Sequence, residues 1–203
     1  MSTEKNILEC AKSLFMQFGL RSVTMDDIAR KNGVSKKTIY QFFRDKSAII
    51  QNTIKGHFEN HKKSIIEAVN NTENAVQALF QISLCMKKQT ETVNPTLIYD
   101  LQKYYPKAYK KVIEFKQEFM QDLLISILYQ GIKEGLFRKE INVEILAILR
   151  IEEVQLAFDN IFPRDRFDFK TVHVQMFDHF IHGILTEKGR EQYNFYVNHE
   201  QKA

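Results

Sequence analysis

Apolar residues along this chain recur at helical spacing, and no stretch shows sustained alternation of the kind a half-buried strand needs. Ile7, Leu8, Ala11, Leu14, Phe15 and Phe18 fall on one stripe. That 3.6-residue period predicts an amphipathic helix over about 3–18, closed by Gly19, which suits a left-handed C-terminal cap. Thr24 opens a two-turn helix over 25–31, with Asp26 and Asp27 in the first turn, where the helix dipole favours acids. Ser35 caps a third helix that turns Ile39 and Phe42 or Phe43 inward. Asp45 caps a fourth from about Lys46 to Glu67. The pattern continues over 74–89, with Val76, Leu79, Phe80 and Leu84 inward. Asn94-Pro95 begins the next helix, which ends near Tyr105 because Pro106 restricts the residue before it. A long helix from Pro106 to about Glu134 carries Ala108, Val112, Phe115, Phe119, Leu123 and Ile127 on one face. Two more follow, Val143–Phe162 after the Asn142 cap and Lys170–Leu185. The expectation is an all-α fold of about nine helices.

The break Asn32-Gly33-Val34 is only three residues long. A glycine turn that short forces the two flanking helices to cross steeply, as in a helix-turn-helix. Charge sharpens this picture. Residues 1–63 hold 12 Lys/Arg against 6 Asp/Glu, whereas the remaining 140 hold 17 against 19. A basic N-terminal module on a near-neutral body fits a polyanionic partner. The predicted division is a helix-turn-helix DNA-binding module over 1–48 and a larger helical body over 49–203. The fourth helix links the two.

Composition excludes other classes. Seven glycines and three prolines are too few for a turn-rich β fold. Apolar runs such as LLISILY (123–129) fall far short of the ~18 residues that cross a bilayer. The start, MSTEKNILECAK, lacks the pattern of a signal peptide, so a cytoplasmic protein is expected. Cys10 and Cys85 suggest neither a disulfide framework nor a metal site. No nucleophile–base pairing, Gly-rich phosphate loop or acidic metal cluster stands at telling spacing. The chain therefore reads as a non-enzyme without cofactor.

The block TMDDIARKNGVSKKTIYQFFRDKSAII (24–50) closely resembles the DNA-binding domain of the tetracycline-repressor (TetR) family. Such domains open helix two with a threonine, here Thr24, and carry an Ile-Ala pair, here Ile28-Ala29. They place Gly-Val-Ser at the turn, here Gly33-Val34-Ser35, and Tyr-x-x-Phe in helix three, here Tyr40 and Phe43. A lysine then begins helix four, here Lys46. Phe15 with Gly19, and GILTEKG (183–189), are similar too. Gln41-Phe42 depart from the polar or histidine pair that is frequent there, so base preference does not transfer.

In a helix-turn-helix the second helix enters the major groove N-terminus first. Lys36 and Lys37 are then best placed to reach guanine edges, and Thr38 and Tyr40 to reach phosphates, with a thymine methyl as the alternative for Tyr40. Thr24 and Lys46, at two helix N-termini, are candidate phosphate contacts. Val34, Ile39 and Phe43 are assigned to the core.

The resemblance further implies a homodimer through the last two long helices, on a palindromic operator of double-stranded DNA. A small-molecule effector, apolar or aromatic by composition, would release a repressor of this kind. The inward-facing candidates for its pocket are Phe58, Tyr99, Phe115, Phe119 and Phe158. A helix-turn-helix protein that binds DNA without a ligand is the alternative. His57 and His61 stand i,i+4, a spacing that two metal ligands can use, but no third ligand is evident. Solvated or hydrogen-bonded imidazoles are expected there, as for His173, His179 and His182.

Overall fold

The computed structural model describes residues 2–90, 96–158, 161–163 and 165–200. Their helices are α1 (Thr3–Phe18), α2 (Met25–Asn32), α3 (Lys36–Phe42), α4 (Lys46–Asn70), α5 (Ala75–Thr90), α6 (Leu97–Tyr104), α7 (Pro106–Glu114), α8 (Gln121–Lys133), α9 (Val143–Phe158), α10 (Phe169–Ile184) and α11 (Glu187–Glu200). A π-helical turn, Phe115–Met120, joins α7 to α8 without a break. All nine stretches expected from the pattern are present, and α11 is additional. The fold is all-α, and among the described residues there is no strand. The Asn94-Pro95 start expected for α6 lies outside the described residues, as does part of the stretch between the end of α9 and Phe162. No described helix is long and apolar enough to cross a membrane.

Side-chain caps fix most helix starts. Thr24 and Asp27 form a reciprocal capping box at α2. Ser35 Oγ accepts the Thr38 N–H, Asp45 Oδ1 the Ala48 N–H, and Asn142 Oδ1 the Ile145 N–H. Each such cap is worth about 1 kcal/mol.

Contacts divide the chain into two compact units, 1–61 with 92–115, and 62–91 with 116–203. They do not follow the 48/49 division expected from the sequence. Ile49, Ile50 and Ile54 of α4 are buried in the same core as Ile7, Phe15, Ile28 and Ile39. Leu97, Leu101, Ala108 and Val112 of α6 and α7 join that core. Phe18, expected inside, is 52% exposed at the end of α1.

In the second unit α5, α8, α9, α10 and α11 pack on one another, burying Val76, Leu79, Leu128, Ala147, Phe177, Ile181 and Tyr193. Its turns interlock through the backbone. Phe137 pairs with Leu185 in an isolated bridge, and the Arg138 N–H donates to the Ile184 carbonyl at 2.9 Å. The Thr186 N–H donates to the Leu136 carbonyl at 3.0 Å.

Candidate nucleic-acid interface

Two short helices, α2 and α3, are held at a fixed angle by the turn between them. Gly33 sits in the left-handed region (φ 65°, ψ 29°), which a residue without Cβ adopts freely. Its N–H donates back to the Ala29 and Arg30 carbonyls, and the Val34 N–H donates to the Ala29 carbonyl at 3.1 Å. Ile39 is fully buried and Phe43 is 3% exposed, so α3 is pinned along one side. The opposite side carries Lys36, Lys37, Tyr40, Gln41 and Phe42, all exposed. Of the two phenylalanines, Phe43 is the core residue and Phe42 faces out at 44% exposure.

The six expected DNA contacts differ in how free they are. Lys37 is exposed, and among the described residues no carboxylate pairs with it. Tyr40 is 49% exposed. The Lys36 ammonium is held by Asp26 Oδ2 at 2.9 Å, a hydrogen bond and charge that push its pKa up. Lys36 is thus tethered to α2, as Lys37 is not. Thr38 and Ser35 share a hydroxyl–hydroxyl bond of 2.8 Å. The Thr24 hydroxyl is used within the capping box: it accepts the Asp27 N–H at 3.2 Å and donates to Asp27 Oδ2 at 2.7 Å. Lys46 donates to the Arg21 carbonyl at 3.3 Å. Burial lowers its pKa, against the attraction of Asp100 and Asp27. It therefore ties the α1–α2 turn to the start of α4 as well as offering charge.

The Asp26–Lys36 pair leads to a prediction. With Asp26→Ala the ammonium is released and a carboxylate leaves the candidate DNA face. Affinity for mixed-sequence duplex should rise about 3- to 10-fold at low salt, with a slope against salt steeper by about one unit. Titration by fluorescence anisotropy measures both. Unchanged or weaker binding would mean that Asp26 does not restrain Lys36.

The ligand candidates whose side chains are described differ in their surroundings. Phe58 and Phe115 meet with ring centroids 4.8 Å apart, and His61 stacks on Phe115 at 5.1 Å. Phe119 receives the Lys62 ammonium over its ring at 4.8 Å. Phe115 and Phe119 both lie in the π-helical turn, a departure that apolar periodicity does not reveal. Tyr99 does not face inward: it is 56% exposed, since Leu97 and Leu101 take the core positions of α6. The Phe158 side chain lies outside what is described.

Two of the histidines, His61 and His173, are buried rather than solvated. His61 is 4% exposed, and among the described residues its Nε2 has no hydrogen-bond partner. Burial lowers the pKa of His61 to about 4, helped by His57. His57 is lowered to about 4 by burial and by Lys12. Among the described residues no group of three potential ligands could hold a metal ion.

An unfolded imidazole takes its proton near pH 6.5, while folded His61 refuses it until about 4. Stability should therefore be lost as pH falls through this window. Between pH 7 and 5 His61 alone accounts for about 2 kcal/mol of that loss. Urea unfolding at the two pH values should show His61→Phe losing less than the parent. An equal loss would mean that the ring titrates normally in the folded chain.

Taken together, a pinned recognition helix with a free lysine and tyrosine, in a unit carrying 14 Lys/Arg against 8 Asp/Glu, defines a helix-turn-helix DNA-binding regulator of transcription. Residues 7–53 match the family described as bacterial regulatory proteins, tetR family. Over those residues the chain carries the domain of that family. It is 25% identical over 150 residues to the HTH-type transcriptional repressor KstR2 of Mycobacterium tuberculosis, covering 71% of this chain and 74% of that one. With the HTH-type transcriptional regulator YhgD of Bacillus subtilis it shares 29% over 161 residues, 77% and 83% of the two chains. The crystal structure of a TetR-family regulator from Agrobacterium tumefaciens has the same fold. Its TM-score is 0.75 at 17% identity, over 90% of this chain and 97% of that one.

Proposed function

We propose that this regulator is a homodimeric repressor that reads a palindromic operator with α3 and leaves it when a small apolar or aromatic ligand binds. The observation that carries the reading is the two-sided α3, with Ile39 and Phe43 inside and Lys37 and Tyr40 free outside. Repression follows the similarity to KstR2, which is named a repressor. In the proposed division of labour, the N-terminal helices bind DNA and the larger body binds ligand and partner.

Dimerisation is supported by α9. Ile145, Ile148, Leu149 and Leu156 are 61%, 48%, 47% and 38% exposed, a stripe at i, i+3, i+4 and i+11. An apolar stripe of this length on a soluble chain marks an interaction surface. From α10 the contribution is narrower than expected: Phe177, Phe180 and Ile184 are buried in their own unit, leaving Val174 and Gly183 exposed. The ligand reading is supported by the aromatic group Phe58, Phe115 and His61, where an unpartnered ring nitrogen could bond a polar atom of the ligand. Helix α4 gives residues to both compact units. A ligand that binds the DNA-free state better would act through that helix.

The experiment is the mass of the complex with a selected operator duplex, for the parent and for Leu149→Glu. Two parent protomers should bind a two-fold-symmetric site with half-sites about one helical turn, 34–36 Å, apart. Leu149→Glu should leave a monomer in solution. A parent that binds as a single protomer would overturn the reading.

A further inference from the structure

We infer that Arg21 and Lys103 form a second contact surface for the phosphates of double-stranded DNA, outside the helix-turn-helix and contributed in part by α6. This inference rests on the DNA-binding reading above. Arg21 lies in the exposed turn between α1 and α2, with its guanidinium 4.8 Å from the centroid of the Tyr104 ring. The Lys103 ammonium lies 5.5 Å from the centroid of that same ring and 5.3 Å from that of Tyr99. It also donates to the Tyr99 hydroxyl at 2.9 Å.

Two cations are thus gathered around one ring on the surface. Among the described residues no carboxylate pairs with either. The nearby Asp100 is buried at 7% exposure, and its attraction acts on Lys46. Each ring attracts its cation and restricts its side chain, so part of the ordering that an anion would impose is already in place. The patch is continuous with the proposed DNA face, because the Arg21 carbonyl accepts the Lys46 ammonium. That continuity favours DNA backbone over another polyanion. Donors alone, with no acceptor, suit phosphate oxygens and carry no base preference.

The test compares parent, Arg21→Gln/Lys103→Gln, and Arg21→Lys/Lys103→Arg on an operator duplex selected with the parent and on a mixed-sequence duplex of equal length. Each lost phosphate contact lowers the slope of log affinity against log salt by about 0.9. The glutamine pair should therefore flatten the slope by about two units per bound protomer, equally on both duplexes, and the charge-conserving pair should restore it. Lys133→Gln/Lys139→Gln removes two exposed cations from the other compact unit and controls for net charge. If the glutamine pair behaves like that control, the inference falls. Lys37→Ala, run alongside, separates the two levels. Loss of operator preference there with no slope change at Arg21 and Lys103 sinks only this surface, whereas parental binding by Lys37→Ala sinks the underlying reading.

Discussion

Replacing Phe43 by alanine should cost the DNA-reading unit about 3–5 kcal/mol, the usual toll for removing a buried phenylalanine. The ring is 3% exposed and belongs to one core with Phe15, Ile28, Ile39 and Ile49. Its N–H closes α3 onto the Ile39 carbonyl at 2.9 Å. Domains of this size have only about 5–15 kcal/mol in hand, so the variant should lose operator binding by unfolding. Thermal melting by circular dichroism should show the lower midpoint, and Phe42→Ala, at an exposed site one residue away, should melt like the parent. A Phe43→Ala protein that melts normally would mean that α3 is not anchored by this ring.

Gly189→Ala should be strongly damaging in the second unit. A Cβ there would lie 2.1 Å from the Leu136 carbonyl oxygen and 2.8 Å from Leu185 Cδ2. The nearer obstacle is backbone, which cannot rotate away. Relief requires α11 to move off the turn that Thr186 holds through hydrogen bonds to the Gly135 and Leu136 carbonyls. Overpacking of this kind costs about 1–3 kcal/mol, and the lost turn bonds add to it. Urea unfolding should show the drop. Gly56→Ala, where a Cβ meets nothing within 4 Å, should be neutral or slightly stabilising because alanine is the better helix former. Equal behaviour of the two variants would refute the packing argument.

These two positions also show what the sequence makes legible. Phe43 could be assigned inward because α2 and α3 are short, capped and joined by a glycine turn, so few registers bury Ile39 and one phenylalanine together. Helix α11 escaped notice. Its interior is polar apart from a few aromatics such as Tyr193, and its start depends on Thr186, whose Oγ1 accepts the Gly189 N–H at 3.1 Å. A threonine followed by an acidic first turn was the available signal. Type and spacing likewise located the candidate DNA contacts but not their partners. Lys36 and Lys37 are alike in sequence, and only the approach of Asp26 from α2 separates the tethered lysine from the free one. The ligand candidates were the least legible. The π-helical turn shifts Phe115 and Phe119 off the regular register, and Tyr99 lies on the solvent side of a helix whose apolar residues are split between core and surface.

The central claim is that α3 reads bases through its free outer face, and the most direct measurement is selection of bound sequences from a random duplex library with the parent and with Lys37→Ala. The parent should recover a two-fold-symmetric site. Lys37→Ala should keep its affinity for mixed-sequence DNA within a few fold. It should lose about 1–3 kcal/mol of discrimination, roughly 5- to 150-fold, at the same base pair or pairs in each half-site. A Lys37→Ala protein that recovers the parent's site with unchanged preference at every position would contradict the account.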